Sequence, residues 1–320
     1  MKVSLIVTIL NEGQNLELLL SSIWAQKSRA DEVIIVDGGS RDHSWEILQT
    51  WQKNFSKLNL RIFQKSGNRS VSRNFAIKKA KYEWIAITDA GCILDDKWLQ
   101  NLKKAVLPHP SGSTNQRPSP LNGEGKTILV LAGYYQADAV TGLEEAIVPY
   151  VLVMPDRVDP KNFLPATRSM MMRKQVWEKL GGFDEKLSHN EDFALAQKIK
   201  KNFQIKFVRK ALVTWIPRGN LFSFFRMIYR FALGDAEARI FRPKVATIFL
   251  RYLFFISLLF INLKLEIIVF LFYLLWSIYK NYKYLKKFKA YYYLPVLQVL
   301  SDAAVMTGSV IGLYKRFFHL

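Results

Sequence analysis

The residues best placed to do chemistry are carboxylates spaced along the first 200 positions, each just behind a short apolar run. Thr8, Asn11 and Glu12 close the run over residues 3 to 10, Asp37 closes 33 to 36, and Asp89 closes 84 to 88. Glu191 and Asp192 form an acidic pair at the start of a helical pattern. Carboxylates gathered at one edge repel one another, so such a set serves to hold a cation or to bond sugar hydroxyls and base N–H groups. An Asp after a strand also makes a good cap for the next helix, and Asp42 and Asp96 are read that way. Residues 67 to 74, Gly-Asn-Arg-Ser-Val-Ser-Arg-Asn, open a helix with Arg69 and Arg73, and a helix N-terminus beside a guanidinium suits a diphosphate. His43, His109, His189 and His319 have no ligand spacing, and the single Cys92 excludes a disulfide framework and a cysteine-based zinc site.

The elements that must position these groups follow from the hydropathy pattern. Strands are expected at 3 to 10, 33 to 36, 60 to 63, 84 to 88, 128 to 134, 169 to 172, 206 to 208 and 212 to 215. Helices are expected at about 42 to 55, 70 to 81, from 96, at 175 to 180 and from 191. The first run is too short for the apolar core of a signal peptide and leads straight into Asn11-Glu12. Short β-branched runs that are apolar on both faces and alternate with helices predict an α/β fold around a mainly parallel sheet. Such sheets bind ligands at the carboxyl ends of their strands, where Asn11, Glu12, Asp37 and Asp89 fall. Residues 108 to 126 are dense in Pro, Ser, Gly and Asn and predict a flexible insertion, and 141 to 165 carry no decisive pattern.

The final third changes character. The chain of 320 residues has 46 Lys and Arg against 26 Asp and Glu, and its last 80 residues hold 11 basic side chains against only Glu266 and Asp302. Those basic residues lie between long apolar runs, so an anionic membrane surface is a better counterpart than nucleic acid. Runs at 245 to 263 and 294 to 313 reach the length of a bilayer span, and the run at 265 to 279 does so only with its flanks. Lys280, Lys283, Lys286, Lys287 and Lys289 form a basic loop that the positive-inside rule puts in the cytoplasm, together with the N-terminal domain. Gly308 and Gly312 mark a small-residue packing face on the third run, which either spans or lies in the plane. Residues 221 to 244, with Phe225, Ile228, Tyr229, Ala232 and Leu233 at helical spacing, predict an amphipathic helix at the membrane interface. This divides the chain into a catalytic domain over 1–220, an interfacial helix over 221–244 and a membrane region over 245–320.

Taken in order, Thr8-Ile9-Leu10-Asn11-Glu12, Val36-Asp37-Gly38-Gly39-Ser40-Arg41-Asp42, Ser72-Arg73-Asn74, Thr88-Asp89-Ala90-Gly91 and Asn190-Glu191-Asp192 resemble the motifs of inverting glycosyltransferases of family 2. The likeness covers roughly residues 1 to 220. It implies the A-type glycosyltransferase fold and a nucleotide-diphosphate-sugar donor. By motif, Thr8, Asn11, Glu12 and Asp37 would bind the nucleotide part of the donor and Arg73 the diphosphate. Asp89 would hold a divalent Mg²⁺ or Mn²⁺, Asp192 would be the base, and Glu191 would bond the acceptor. Two positions depart from the usual pattern: Gly38 follows Asp37, and Gly91 stands where the metal motif has its second Asp. Arg168-Ser169, Gly181-Gly182-Phe183, Trp215-x-Pro217-Arg218 and residues 234 to 238 look like a membrane-bound bacterial branch in which Asp-Ala-Gly is itself usual. The reaction so implied inverts the anomeric centre in one displacement, on a lipid-linked or cell-envelope glycan acceptor at the cytoplasmic membrane. A catalytically silent sugar-nucleotide or glycan-binding subunit is the alternative that Gly38 and Gly91 raise.

Overall fold

A computed structural model describes residues 1–106, 129–217 and 219–318. The insertion expected at 108–126, as well as Arg218, His109 and His319, lies outside the described residues. Cα proximity divides the chain into two compact units, the first made of Met1–Gln136, Val158–Lys186 and Glu191–Ile216, the second of Ala137–Arg157, Leu187–Asn190 and Pro217–Leu320.

The first unit opens with β1 (Val3–Ile9), α1 (Gly13–Trp24), β2 (Glu32–Asp37), α2 (Ser44–Asn54), β3 (Leu60–Gln64), α3 (Arg69–Lys79) and β4 (Trp84–Asp89). It continues with β5 (Cys92–Leu94), α4 (Trp98–Val106), β6 (Val130–Ala137), β7 (Met170–Arg173), α6 (Lys174–Lys179), α7 (Glu191–Asn202) and β8 (Ile205–Trp215); α5 (Gly142–Val151) belongs to the second unit. The strands form one sheet in the order β3-β2-β1-β4-β7-β6-β8-β5. Strands β3, β2, β1 and β4 are parallel, whereas β7 runs antiparallel to β4 and β6, and β5 antiparallel to β8. The sheet is therefore mixed, not mainly parallel as expected. Met170, Met171 and Met172 are buried on both faces of β7, and a run apolar on both sides carries no mark of its direction.

Two further details differ from the sequence reading. The runs at 206 to 208 and 212 to 215 are one strand, β8, because Arg209 and Lys210 are charged side chains on its exposed part and not a turn. The turn expected at 89 to 92 ends in the short β5, which pairs Cys92 with Trp215 and Leu94 with Val213. The core includes Ile6, Ile34 and Ile87 of the sheet against Ala76, Ile77, Leu195 and Ile199 of α3 and α7. Each of these isoleucines and the leucine contributes roughly 1.5–3 kcal/mol when fully buried.

The second unit is helical. It contains α5, α8 (Leu221–Glu237), α9 (Pro243–Ile261), α10 (Leu263–Leu285) and α11 (Ala290–Phe317). Thr141 and Glu144 close a reciprocal capping box on α5, in the stretch that has no decisive sequence pattern. The apolar stripe of α8 is covered by protein: Gly308 and Gly312 of α11 lie against Tyr229, Ala232, Leu233 and Ala236. Helices α9 and α10 turn at Asn262, whose side chain caps Leu265 N, and Phe255 packs on Phe270 and Tyr273. Leu250, Leu253, Phe260, Phe272 and Leu275 are more than half exposed. Among the described residues, α9 and α11 are the two helices long and apolar enough to cross a membrane, by length and composition. Inside this unit the buried Asp302 accepts from Arg251 Nη2 (2.7 Å), Tyr273 and Gln298 Nε2 (3.1 Å).

Candidate active site

The parallel register sets the first part of the site. Thr8 lies beside Val36 on one side and Asp89 on the other, and Ile9 beside Asp37, so the chemistry-bearing residues end three neighbouring strands. Asp37 is fully buried. Its Oδ1 accepts from Gly39 N (3.1 Å), Ser40 N (2.9 Å) and Ser40 Oγ (2.7 Å). Its Oδ2 is buried with no partner among the described residues. A buried acceptor left unmade costs about 1–3 kcal/mol, so this oxygen suits an N–H or O–H of a bound ligand. Asn11, at φ 55°, joins the loops: its N donates to Ser40 Oγ (2.9 Å) and its Oδ1 accepts from Arg41 N (2.8 Å). Glu12 N donates to Ser44 Oγ (3.0 Å) at the start of α2.

The second part centres on Arg73. Asn68 caps α3 by accepting from Val71 N at 3.0 Å, which places Arg73 on the first turn and a half, facing the sheet edge. Its side chain is 3% exposed; Nη2 donates to Asp89 Oδ1 at 2.8 Å and Nη1 to Glu191 Oε1. The guanidinium also stands over the Phe183 ring, 5.4 Å from its centroid. Neighbouring Asn74 fixes the turn that carries Phe183. Its Oδ1 accepts from Trp177 Nε1 and Phe183 N (both 3.0 Å), and its Nδ2 donates to Phe183 O and Glu185 Oε1 (both 2.8 Å). Gly182 is required there. It has φ +76°, and a Cβ would sit 2.8 Å from Asn74 Oδ1 and 2.9 Å from Trp177 Nε1.

The third part joins the two acidic motifs. Thr167 Oγ1 lies 3.2 Å from Asp89 Oδ2 and 3.4 Å from Asp192 Oδ2. Burial and the negative charge of Glu191 push the Asp192 carboxyl above its ordinary value, against the opposing pull of Arg73. Asp89 moves the other way: burial opposes ionisation, but Arg73, Arg168 and Arg69 hold its carboxyl below the usual range. The two carboxyls thus diverge in proton affinity, Asp192 the more basic and Asp89 the more readily ionised. Burial pushes the Cys92 thiol up to about 12, so it is no nucleophile.

Of the residues that the sequence marks, Thr8, Asp37, Arg73, Asp89, Glu191 and Asp192 come together at this edge. Glu191, expected to reach an acceptor, is instead buried and tied to Arg73. Arg73, expected on the diphosphate, has both terminal nitrogens engaged by carboxylates. Thr167 joins the site without a sequence signal, since a lone Thr between Ala166 and Arg168 gives no pattern that marks it. A cation fits beside Asp89. Beyond Gly91 and its chain neighbours, no described atom lies within 4 Å of where a Cβ on Gly91 would stand, so a side chain could start there without a clash. Among the described residues no group of three or more His, Cys, Asp or Glu is gathered to hold a metal. A Mg²⁺ or Mn²⁺ ion can take one carboxylate, with phosphate oxygens and water completing the shell.

A half-parallel sheet with nucleotide-type acceptors at its carboxyl edge and an acidic pair opening α7 is the architecture of the A-type glycosyltransferase fold. The family described as glycosyl transferase family 2 matches residues 4–178, and the chain belongs to that family. Glycosyltransferase GlyG of Streptococcus pneumoniae serotype 4 is 29% identical over 104 residues, 32% of this chain and 35% of that protein. The poly(ribitol-phosphate) beta-N-acetylglucosaminyltransferase TarP of Staphylococcus aureus is 35% identical over 104 residues, 32% of each. The matched stretches thus span about a third of these curated relatives. The mannosyltransferase PcManGT from Pyrobaculum calidifontis, solved with GDP-Man and Mn²⁺, superposes with a TM-score of 0.70 over 99% of this chain and 87% of that one, at 16% identity, which is a likeness of fold.

Proposed function

We propose that this chain is an inverting glycosyltransferase that moves a sugar from a nucleotide-diphosphate sugar to a hydroxyl of a lipid-linked or cell-envelope glycan. The observation that carries the reading is Asp192: a half-buried carboxylate of raised proton affinity, joined through Thr167 to Asp89 at the end of β4. A base of raised affinity takes the acceptor's hydroxyl proton as that oxygen attacks the sugar's anomeric carbon. Asp37 Oδ2, buried and unpartnered among the described residues, and Thr8 receive the nucleoside. Asp89 would hold the divalent ion, whose chemistry when bound is to neutralise charge on the departing diphosphate. Arg73 keeps Asp89 ionised and holds Glu191 in place.

The setting of the reaction follows from the helical unit. Helix α9 is apolar and long enough to cross a bilayer and α10 would return the chain, so that the lysines at 280 to 289 favour a cytoplasmic loop on the side of the catalytic unit and so a multi-pass protein of the cytoplasmic membrane. A catalytic unit tethered there meets acceptors at the membrane surface. The relatives TarP and the synthase of Staphylococcus epidermidis are named for poly(ribitol-phosphate) and for poly-beta-1,6-N-acetyl-D-glucosamine, in line with a polymeric acceptor.

The deciding experiment is a pair of measurements on detergent-purified protein: calorimetric titration of UDP and GDP with and without Mn²⁺, and a donor-sugar turnover screen, each repeated on Asp192→Asn. Nucleotide binding retained with turnover lost in the variant supports the enzyme. Binding by the unaltered chain with no turnover on any donor transfers the reading to a silent binding subunit.

A further inference from the structure

Arg73 is not free to meet a phosphate, since its guanidinium is buried and shared between Asp89 and Glu191. A diphosphate leaving group carries charge that one metal ion held by a single carboxylate does not fully offset. The residue beside Thr167 supplies what Arg73 does not. The Arg168 guanidinium is half-buried and stands 5.4 Å from the ring centroids of both Tyr135 and Trp215. Its backbone is fixed where Thr88 Oγ1 donates to Arg168 O at 3.0 Å, one residue before Asp89. Its charge bears on both Asp89 and Asp192. Among the described residues its side chain makes no hydrogen bond or ion pair, so a planar fork of N–H donors is held in an aromatic clamp with no acceptor. Aromatic faces orient an arginine without consuming its donors, and a fork so oriented matches the oxygens of a phosphate group.

We propose that Arg168, clamped by Tyr135 and Trp215, is the arginine that binds the diphosphate of the donor, and that Arg73 serves as the buried brace of the site's carboxylates. The assignment rests on the glycosyltransferase reading. It places the recognition of the leaving group on the segment between α5 and β7, outside the helix that opens with Arg69.

The test is calorimetry of UDP and GDP on the full chain in detergent, for the unaltered protein, Arg168→Gln and Arg168→Lys, with a melting curve for each. Arg168→Gln is expected to weaken binding of the nucleotide that the unaltered chain prefers by about 10- to 100-fold, the range for lost hydrogen bonds to a charged group. Arg168→Lys is expected to recover part of that loss, because the charge stays and the fork goes. Unchanged nucleotide affinity in a folded Arg168→Gln overturns the proposal, and so does a change confined to the acceptor's KM, which would put the guanidinium on an anionic acceptor. Should Arg168→Gln fail to fold, Trp215→Leu removes one face of the clamp and keeps the cation; a weaker nucleotide affinity supports the proposal and an unaltered one overturns it. If the unaltered chain binds neither nucleotide, the donor reading itself falls and takes this assignment with it, a result distinct from a variant that binds normally.

Discussion

Arg73 Nη2 stands 2.8 Å from Asp89 Oδ1, and the arginine is 3% exposed while the carboxylate is 31% exposed. The pair is thus buried on one side and open to the site on the other. The guanidinium lies inward, while part of the carboxylate stays accessible beside Thr167.

Removing the brace leaves Glu191 and the inner edge of Asp89 as uncompensated charges. Arg73→Met is expected to destabilise the first unit by about 3–5 kcal/mol, read from denaturant unfolding. The Asp89 carboxyl is held below its ordinary 3.8, so its contribution to stability is full above that value and disappears as pH falls through the lower folded value. A melting temperature insensitive to pH between 5 and 3 in the unaltered chain, or to Arg73→Met at neutral pH, would contradict this.

Asp192 has the opposite sign. Its folded proton affinity is above the ordinary 3.8, so its protonated form favours the fold below that value and the gain is lost as pH rises through the folded value. Activity runs the other way, because the base must be ionised. The acidic limb of the kcat/KM profile is expected above the ordinary range of an aspartate. Glu191→Gln removes a charge that raises Asp192, so the limb should move to lower pH. A limb that stays or moves up would rule out Asp192 as the titrating group.

The open space at Gly91 allows the second carboxylate to be put back. Gly91→Asp is expected to change stability by less than about 0.5 kcal/mol, since a Cβ there meets no described atom within 4 Å beyond Gly91 and its chain neighbours. It should raise Mn²⁺ affinity in the presence of UDP, and Asp89→Ala should lower it. Titration of Mn²⁺ against both variants tests whether the metal belongs at this corner.

In the helical unit, Gly308 lies against the backbone of Tyr229, and a Cβ added to it would stand 3.0 Å from Ala232 Cβ. Gly308→Val is expected to cost about 1–3 kcal/mol by forcing α8 and α11 apart. Protease protection of α8 would fall with it, whereas Val310→Ala, on an exposed position of α11, would leave it unchanged.

The legible part of this molecule is the part with strong periodicity and punctuation. The strand ends carrying Thr8, Asp37 and Asp89 sit beside one another as expected, because parallel strands followed by helices bring their carboxyl ends to one edge. The direction of β7 is not legible, since Met170 to Met172 are apolar on both faces. Glu191 and Arg73 are legible as site residues but not as each other's partners, because an ion pair between residues 118 positions apart leaves no local pattern. The α8 stripe is legible as one apolar face, yet periodicity does not say whether lipid or a glycine-lined helix covers it.

A hydroxyl has one proton to give, and Thr167 faces two carboxylate oxygens, on Asp89 and Asp192. At any instant it serves one of them, and the other loses a bond that favours its ionised form. A ligand that draws the Thr167 proton toward Asp89 therefore makes Asp192 a stronger base, and one that releases it makes Asp192 weaker. An uncharged side chain thus joins the end of β4 to the start of α7, two places far apart in the sequence.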